Sequence, residues 1–377
     1  MKLFSVVLVL AIGASLQGSE PAKVDLIRTP DDGIQPQAVV DDSGTLHLIY
    51  LKGDPGGSDI FYVRRRPGQS AFSAPIRVNS QPGSAVAIGT VRGAHLAVGK
   101  QGRVHVAWMD LKNAEPKGPP KDAMLYARSN LQGTAFEPQR NVLQFAAGVD
   151  GGASVAADRS GNVYVVWHAG DGEPNRRVWV ARSRDDGKTF ARETAAYDEP
   201  TGACACCGMR AFADRKGDVY VLYRSAKESV NRDIYMLLSA SGGQSFKGVD
   251  LHPWKVNGCP MSTASITEGG GVVLAALETM QQVYYAEVEP GTLRTRGPVA
   301  APGEGSRKHP AVAANSQGER ILVWTEGTGW KKGGSLAWQV YDKANRPTTE
   351  KGQAPGVPIW SLAAVFARPD GGFSIVY

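Results

Sequence analysis

The sequence predicts an all-β protein folded as a β-propeller of four-stranded antiparallel blades. Glycine and proline are frequent, with 45 and 23 of the 377 residues. Long apolar patterns of helical period are missing, and one hairpin-like unit recurs along the chain. Short apolar strands separated by turn residues indicate β-structure, and a unit repeated every roughly 50 to 60 residues is typical of propeller blades.

The recurring unit is an apolar strand, a turn carrying Asp or Asn and then Gly, and a second apolar strand. Clear copies are SVAADRSGNVYVVW at 154–167 and RAFADRKGDVYVLY at 210–223, and the copy at 264–277 is weaker. Seven hairpins favour seven blades. Six is the alternative if the weak fifth repeat or the shortened last one forms no blade of its own. The turn glycines are Gly44, Gly102, Gly161, Gly217, Gly270, Gly318 and Gly371.

Two further strands follow most hairpins, for example 177–183 as a third strand and 75–79 as a fourth. The last repeat stops at Tyr377 after its second strand, whereas residues 24–30 (VDLIRTP) resemble a fourth strand with no hairpin before it. We therefore expect the N-terminal strand to complete the last blade and to close the ring non-covalently. Face-to-face packing of the blades then buries both faces of each sheet.

Residues 1–18 predict a signal peptide, and residues 22–377 a single propeller domain. Lys2 precedes an apolar run from Leu3 to Ile12 and then small and polar residues, which is the layout of a secretory leader. The run is shorter than the roughly 20 residues that span a bilayer, and no other segment predicts a membrane span. We expect an exported protein, periplasmic or extracellular.

The charge pattern gives no sign of a nucleic-acid partner. The formal net charge is +6, and the Lys and Arg residues are scattered. A nucleic-acid-binding domain concentrates such residues on one face or in a recognised motif. The basic character therefore indicates ordinary surface composition.

One short segment points to a known family. SRDDGKTF at 183–190 lies between the third and fourth strands of the third repeat, and SASGGQSF at 239–246 occupies the same place in the next one. The first matches the pattern S-x-D-x-G-x-T-W with Phe in place of Trp. In these residues the chain resembles the BNR/Asp-box proteins of the sialidase superfamily, and the resemblance covers almost all of the chain as architecture. The matching residues are Ser183, Asp185, Gly187, Thr189 and Phe190.

The residue types of this segment suit a structural turn better than a catalytic or metal-binding loop. Asp185 can accept hydrogen bonds from its own loop, and Gly187 adopts positive φ at little cost. Calcium would require several more oxygen ligands in register. Strand order places this turn on the face of the ring opposite to the starts of the first strands.

The resemblance places the ligand site where the first strands start, around the central axis. Charged residues of both signs converging there suit a polar or anionic small ligand, and for any single residue ordinary solvation is the alternative. Candidate ligand-binding residues are Arg92, His95, His168, Arg224, Arg307, His309 and Glu326, and candidate catalytic residues are Arg210, Glu278 and Asp110.

A sialidase uses three arginines that clamp a carboxylate, a tyrosine nucleophile activated by a glutamate, and an aspartate acid/base. The family's first arginine lies in an F-R-I-P motif, but residues 34–38 read IQPQA and hold no arginine. Arg92, Arg210 and Arg307 are the arginines that could form such a clamp. Their repeat positions do not match the family's pattern.

The four cysteines fall at the starts of two neighbouring first strands. An even number in an exported protein predicts two disulfides, and Cys259 bonded to one of the other three is one such pairing. The alternatives are a soft-metal site, for which thiolates and thioethers suit copper, and free or catalytic thiols. The residues are Cys204, Cys206, Cys207 and Cys259.

Three hypotheses for function follow. The first is an exported carbohydrate-directed protein, either a glycosidase or a binder of a glycoconjugate, that needs no cofactor. The second is a non-catalytic propeller that binds proteins or polymers. The third is a metal or redox function at the Cys/Met cluster.

Overall fold

The computed structural model describes residues 22–110 and 122–377. The predicted signal peptide lies outside the described residues. Within them the chain forms 27 strands, three short 3-10 turns and no α-helix. No described helix is long and apolar enough to cross a bilayer.

The first half of the chain forms a lone strand and then three four-stranded sheets. The lone strand is β1 (Val24–Ile27). Blade 1 contains β2 (Ile34–Val40), β3 (Leu46–Asp54), β4 (Gly57–Arg65) and β5 (Ile76–Arg77); blade 2 contains β6 (His95–Val98), β7 (Val104–Asp110), β8 (Ala123–Arg128) and β9 (Arg140–Asn141); blade 3 contains β10 (Val149–Ala157), β11 (Val163–Ala169), β12 (Arg177–Ser183) and β13 (Thr194–Ala195). The 3-10 turns are Pro30–Asp32, Lys100–Gly102 and Glu173–Asn175.

The second half forms three more four-stranded sheets and a final hairpin. Blade 4 contains β14 (Arg210–Ala213), β15 (Val219–Arg224), β16 (Ile234–Ser239) and β17 (Lys247–His252); blade 5 contains β18 (Ser265–Gly269), β19 (Val272–Thr279), β20 (Gln282–Val288) and β21 (Thr295–Ala300); blade 6 contains β22 (Arg307–Ala314), β23 (Arg320–Glu326), β24 (Gly334–Tyr341) and β25 (Pro347–Val357); blade 7 contains β26 (Ala364–Ala367) and β27 (Phe373–Val376). The prediction of a seven-bladed, all-β propeller is confirmed.

The seventh blade differs from the expected form. Strand β1 joins it, as predicted, but it pairs directly with β27 and runs parallel to it, so this blade has three strands in the order β1-β27-β26. Backbone bonds at the end of this pair join the amide of Thr29 to the carbonyl of Tyr377, and the amide of Tyr377 to the carbonyl of Ile27, both at 3.0 Å. The ring is therefore closed non-covalently, by a parallel third strand instead of an antiparallel fourth.

The core lies between the blades rather than at the axis. Side chains from facing blades pack in clusters, for example Trp108 with residues of blade 1 and Trp167 with residues of blade 2, and both rings are fully buried. The first strand of each blade contacts the first strand of the next, from β2 through β26 and back to β2. This arrangement leaves a channel along the axis, lined by the first strands.

Candidate functional site

The central channel has a volume of about 870 Å³, and the first strands of all seven blades line it. We call the end at which these strands begin the mouth, and the other end the far end. Residues of the mouth include Gln37, Arg210, Thr263 and His309. A concave cavity with a few convergent polar groups is the usual form of a ligand site.

Arg210 is the main charged group at the mouth. Its Nη2 atom donates to Gln37 Oε1 at 2.7 Å. No carboxylate among the described residues forms an ion pair with it. Burial lowers the pKa of the guanidinium to about 10, and an arginine remains protonated at that value near neutral pH. The mouth therefore contains a positive charge that no described carboxylate contacts.

Each of the six most buried arginines, in contrast, has a carboxylate partner. For example, Arg320 meets Glu287 at 2.5 Å, and Arg103 meets Asp186 at the same distance. An unpaired buried charge is costly, and protein interiors normally avoid it. Arg210 is half-buried, and unlike these six it lines the channel without a carboxylate partner among the described residues. The six arginines are Arg103, Arg128, Arg224, Arg232, Arg307 and Arg320.

The structure does not bring three free arginines together as a carboxylate clamp. Arg92 forms an ion pair with Asp150 at 2.8 Å. Arg307 meets Glu326 at 3.3 Å, and its Nη atoms donate to the backbone carbonyls of residues 301, 302 and 303. Arg92, Arg307 and Glu326 are thus engaged within the protein, and Arg210 alone of the three predicted clamp arginines lacks a carboxylate partner.

Two histidines lie at this end of the channel: His95 is near Arg210, and His309 lines the mouth. His95 Nδ1 lies 2.9 Å from Ser154 Oγ, which also accepts a hydrogen bond from the amide of Ala211 at 2.8 Å. Burial and the nearby charge of Arg210 lower the pKa of His95 well below its usual range. Burial, aided by Lys308, lowers the pKa of His309 to about 3. Both rings are therefore neutral near pH 7 and can act as hydrogen-bonding groups.

An aromatic cleft adjoins the mouth. Trp330 and Trp360 lie edge to face at 6.1 Å, and the Trp330 side chain is 52% exposed. His309 lines both this cleft and the channel. Sequence reasoning missed both tryptophans, because each lies in a loop outside the repeated unit. A large ring held open to solvent beside a polar cavity is a typical element of a ligand site.

The backbone is strained around the mouth. Five residues other than glycine adopt positive φ near the starts of first strands, with φ between 50° and 66°. The side chain of one of them, Gln35, bridges two neighbouring blades by donating to the carbonyls of Ala87 and Trp360 at 2.6 and 2.8 Å. Strained conformations tend to cluster at functional sites. The five residues are Gln35, Thr90, Met261, His309 and Trp360.

The predicted catalytic residues are not assembled in the channel. Arg210 lines it, but Glu278 and Asp110 do not. Glu278 is buried and forms an ion pair with Arg224 at 2.9 Å. Burial raises the pKa of Glu278 to about 7, although the charge of Arg224 opposes the shift. Asp110 is buried at the end of β7.

The tyrosine–glutamate pair of a sialidase is also missing from the described residues. No tyrosine lines the channel. The tyrosine hydroxyls with a hydrogen-bond partner bond to other groups, as in Tyr223 with Thr201 and Tyr126 with His105. Burial raises the pKa of both tyrosines, which is the opposite of activation for nucleophilic attack.

Three cysteines form a compact sulfur cluster beside the channel. The Cys204 sulfur lies 3.3 Å from that of Cys206 and 3.4 Å from that of Cys207, and all three sulfurs lie within 4.8 Å of one another. A disulfide requires about 2.05 Å, and all four cysteines are free thiols in the structure. The two predicted disulfides are therefore not found, and the exposed Cys259 lies outside the cluster.

The surroundings of the cluster are polar and charged. The amide of Ala205 donates to Glu173, which also accepts from Arg232, both at 2.8 Å. Burial alone would raise the pKa of Cys207, but hydrogen bonds from Cys204 and Cys206 and the charge of Arg224 lower it well below the usual thiol value. Of the three thiols, Cys207 is the one whose surroundings favour the ionised form.

The Asp-box segment forms a tight turn that hydrogen bonds between its own residues stabilise. Asp185 accepts from the amide and the hydroxyl of Thr189 at 2.9 and 2.7 Å, and the Ser183 hydroxyl accepts from the amide of Gly187 at 2.9 Å. Gly187 has φ of 76°, and a Cβ there would lie 1.9 Å from the hydroxyl of Tyr126, so only glycine fits. Phe190 packs edge to face on Tyr126 at 4.8 Å. Asp185, Ser183 and Thr189 bond within the turn, and Asp186 bonds to Arg103 of the neighbouring blade, so the contacts of the segment are structural.

Charged side chains close the far end of the channel. Asp42 pairs with Arg159, and it lies 3.9 Å from Arg215, which in turn lies 3.9 Å from Glu268. These residues come from blades 1, 3, 4 and 5 and meet where their first strands end. Opposite charges form ion pairs there, unlike at the mouth.

The chain is a β-propeller with a polar central cavity of the form that usually holds a ligand. Proteins of known structure have a similar fold. No protein family and no curated protein matches the sequence. The fungal lectin of Aleuria aurantia, a six-bladed propeller with fucose recognition, is similar with a TM-score of 0.52 at 12% identity, over 87% of this chain and 96% of the lectin.

Two enzymes are similar to a comparable degree. An ulvan lyase, a polysaccharide lyase, has a TM-score of 0.51 at 11% identity over 89% of this chain and 88% of its own. The Trypanosoma rangeli sialidase has a TM-score of 0.51 at 9% identity over 81% of this chain and 54% of its own. At these identities the likeness establishes the fold alone.

Proposed function

We propose that this protein binds an anionic carbohydrate at the mouth of the central channel, with Arg210 receiving the acidic group. The observation that carries the proposal is the missing partner: within the described residues Arg210, which lines the channel, pairs with no carboxylate, whereas the six most buried arginines each have one. A charged hydrogen bond to a guanidinium is among the stronger polar contacts, and a carboxylate or sulfate can accept two in parallel.

The aromatic cleft supplies the second part of the site. Trp330 offers an exposed apolar face next to the mouth, onto which the C–H face of a sugar ring can stack. Gln37, already bonded to Arg210, orients the guanidinium, and His309 connects cleft and channel. Arg210 would provide charge selectivity and Trp330 contact area.

The proposal is one of binding, without sialidase-type hydrolysis, because no tyrosine among the described residues lines the channel. It includes export through residues 1–18, since glycoconjugates with acidic sugars are most accessible outside the cytoplasm. Detection of the mature N-terminus in the periplasm or medium would test export separately.

Calorimetric titration with acidic oligosaccharides, those with uronic acid, sialic acid or sulfate groups, tests the proposal. Carboxyl-reduced or desulfated versions of the same sugars are the ligand controls. We expect Arg210→Met to weaken binding at least about 30-fold, since truncating one partner of a buried charge pair costs roughly 2–5 kcal/mol. Trp330→Ala should weaken it about tenfold or less.

The matched control is Arg215→Met, which removes the same charge from the far end of the channel. We expect its affinity to stay within about twofold of the parent protein. Equal binding of acidic and neutral sugars, or equal losses in the two arginine variants, would contradict the proposed site.

A further inference from the structure

Three cysteine sulfurs lie close together beside blade 4, separate from the proposed carbohydrate site, and a buried histidine, His168, packs near the loop that carries them. The sulfurs of Cys204, Cys206 and Cys207 lie within 4.8 Å of one another. Ligands about 2.3 Å from a shared metal ion, the usual metal–thiolate distance, lie roughly 3.8–4.6 Å apart. The cluster is thus close to the size of a metal-binding set before any adjustment.

His168 is the independent second observation. Its side chain is fully buried, and neither ring nitrogen has a hydrogen-bond partner among the described residues. Buried polar atoms of this kind are rare and call for an explanation such as a missing ion. A Cβ built on Gly151 would lie 2.4 Å from the Ala205 carbonyl and 2.7 Å from His168 Nε2, which places the ring against the cysteine loop.

Positive charges adjoin the loop that carries the sulfurs. The amide of Cys204 donates to the carbonyl of Arg224 at 3.0 Å, and Glu173 joins the amide of Ala205 to Arg232. Both arginines are buried and retain N–H groups without a hydrogen-bond partner in the described part of the chain. Three thiolates with a monovalent ion carry a net charge of −2. Both guanidinium groups also pair with carboxylates, Glu278 and Glu173, so they reduce this charge without cancelling it.

We propose that Cys204, Cys206 and Cys207 form a binding site for a soft metal ion, Cu(I). Thiolates are the preferred ligands of Cu(I), and three sulfurs suffice for a trigonal complex. Zn(II) favours four ligands in a tetrahedron, so it would require His168 as the fourth. Binding needs no redox step, since the ion enters as Cu(I) and the thiols release protons.

The test is an anaerobic titration of the full chain with Cu(I) in competition with a chromophoric Cu(I) chelator, followed by X-ray absorption at the copper edge. We expect one Cu(I) per chain and a first shell of sulfur at about 2.3 Å. The triple variant Cys204→Ser/Cys206→Ser/Cys207→Ser should bind none, and the matched control Cys259→Ser should still bind one.

Alkylation mapping of the unmodified protein keeps the test independent of how the variants fold. With iodoacetamide and mass spectrometry, Cu(I) should protect the three clustered thiols and leave Cys259 reactive. Protection of Cys259 alone, no Cu(I) uptake by a protein with free thiols, or a persistent disulfide within the cluster would each overturn the proposal. Tight Zn(II) binding that His168→Ala abolishes, without Cu(I) binding, would overturn the choice of metal.

Discussion

Both ends of the central channel carry charged side chains, but only at the far end do these side chains form ion pairs with one another. There Asp42 and Glu268 face Arg159 and Arg215 across the axis. At the mouth Arg210 has an amide, Gln37, as its polar partner. The same seven strands supply both ends, so the difference lies in the side chains alone. Paired charges stabilise the ring, whereas a site for a charged ligand needs a charge that has no partner within the protein.

The histidines repeat this contrast. On the far side His47 lies 3.1 Å from Asp41, and His105 lies 3.5 Å from Asp186. The mouth histidines His95 and His309 have hydroxyl neighbours instead, at 2.9 and 3.4 Å. The described carboxylates that line the channel all lie at its far end, so an incoming anion meets little repulsion from the channel lining at the mouth.

The largest expected effect comes from a buried pair near the mouth that is balanced. Glu278→Ala leaves Arg224 buried without its carboxylate, and we expect it to lower the free energy of unfolding by about 3–5 kcal/mol. Urea denaturation measures this change. Glu278→Gln, which keeps the volume and a carbonyl acceptor, should lose less. A Glu278→Gln variant as stable as the parent protein would show that the charge is unimportant.

A second prediction concerns pH. The pKa of His309 is about 3 in the folded protein and about 6.5 when unfolded, so as pH falls the unfolded chain binds the proton first. Stability attributable to this group is therefore lost progressively below pH 6.5. Between pH 7 and 5 the parent protein should lose about 2 kcal/mol more than His309→Asn. His252→Asn, at a half-buried histidine that does not line the channel, is the control variant.

A third prediction is that one substitution at the mouth raises the free energy of unfolding, whereas most substitutions lower it. Arg210→Met removes an unbalanced charge from the mouth, so the ligand-free protein should gain about 1–2 kcal/mol in free energy of unfolding. Urea denaturation in the absence of sugar measures the gain. A loss above 1 kcal/mol would mean that the bond to Gln37 outweighs the desolvation of the charge.

The smallest effect is expected at the far end. Asp42→Asn removes one member of an exposed, balanced network, and such pairs contribute less than about 1 kcal/mol each. Thermal melting should show a small shift that disappears in high salt. A shift as large as that of Glu278→Ala would mean that the ion pairs of the far end contribute as much to stability as the buried pair. It would contradict the expected difference between the two ends.

The sequence predicts the blades well because each blade repeats a local signal. A turn of Asp or Asn followed by Gly joins two apolar strands, as in Asp214 and Gly217 of blade 4, where Asp214 accepts from the amides of Lys216 and Asp218 at 2.9 Å. Repeat position also placed Arg210 at the mouth. Such signals depend only on neighbours in the chain.

The pairing of side chains could not be predicted in the same way. Arg92 meets Asp150 from the next blade, 58 residues away, and nothing near either residue indicates this contact. The parallel direction of β1 is also not encoded in the residues VDLI, because an apolar strand pairs in either direction. Positive φ at His309 or Trp360 could not be predicted, since neither is a glycine.

Closure of the ring has a consequence for synthesis. The closing pair joins Val24–Ile27 to Phe373–Val376, so the first strand of the fold must wait until its partner at the end of the seventh blade has left the ribosome. Contacts between such distant segments form slowly, and an unpaired strand is open to wrong partners meanwhile. Each ring can therefore be completed only after its last blade has been translated.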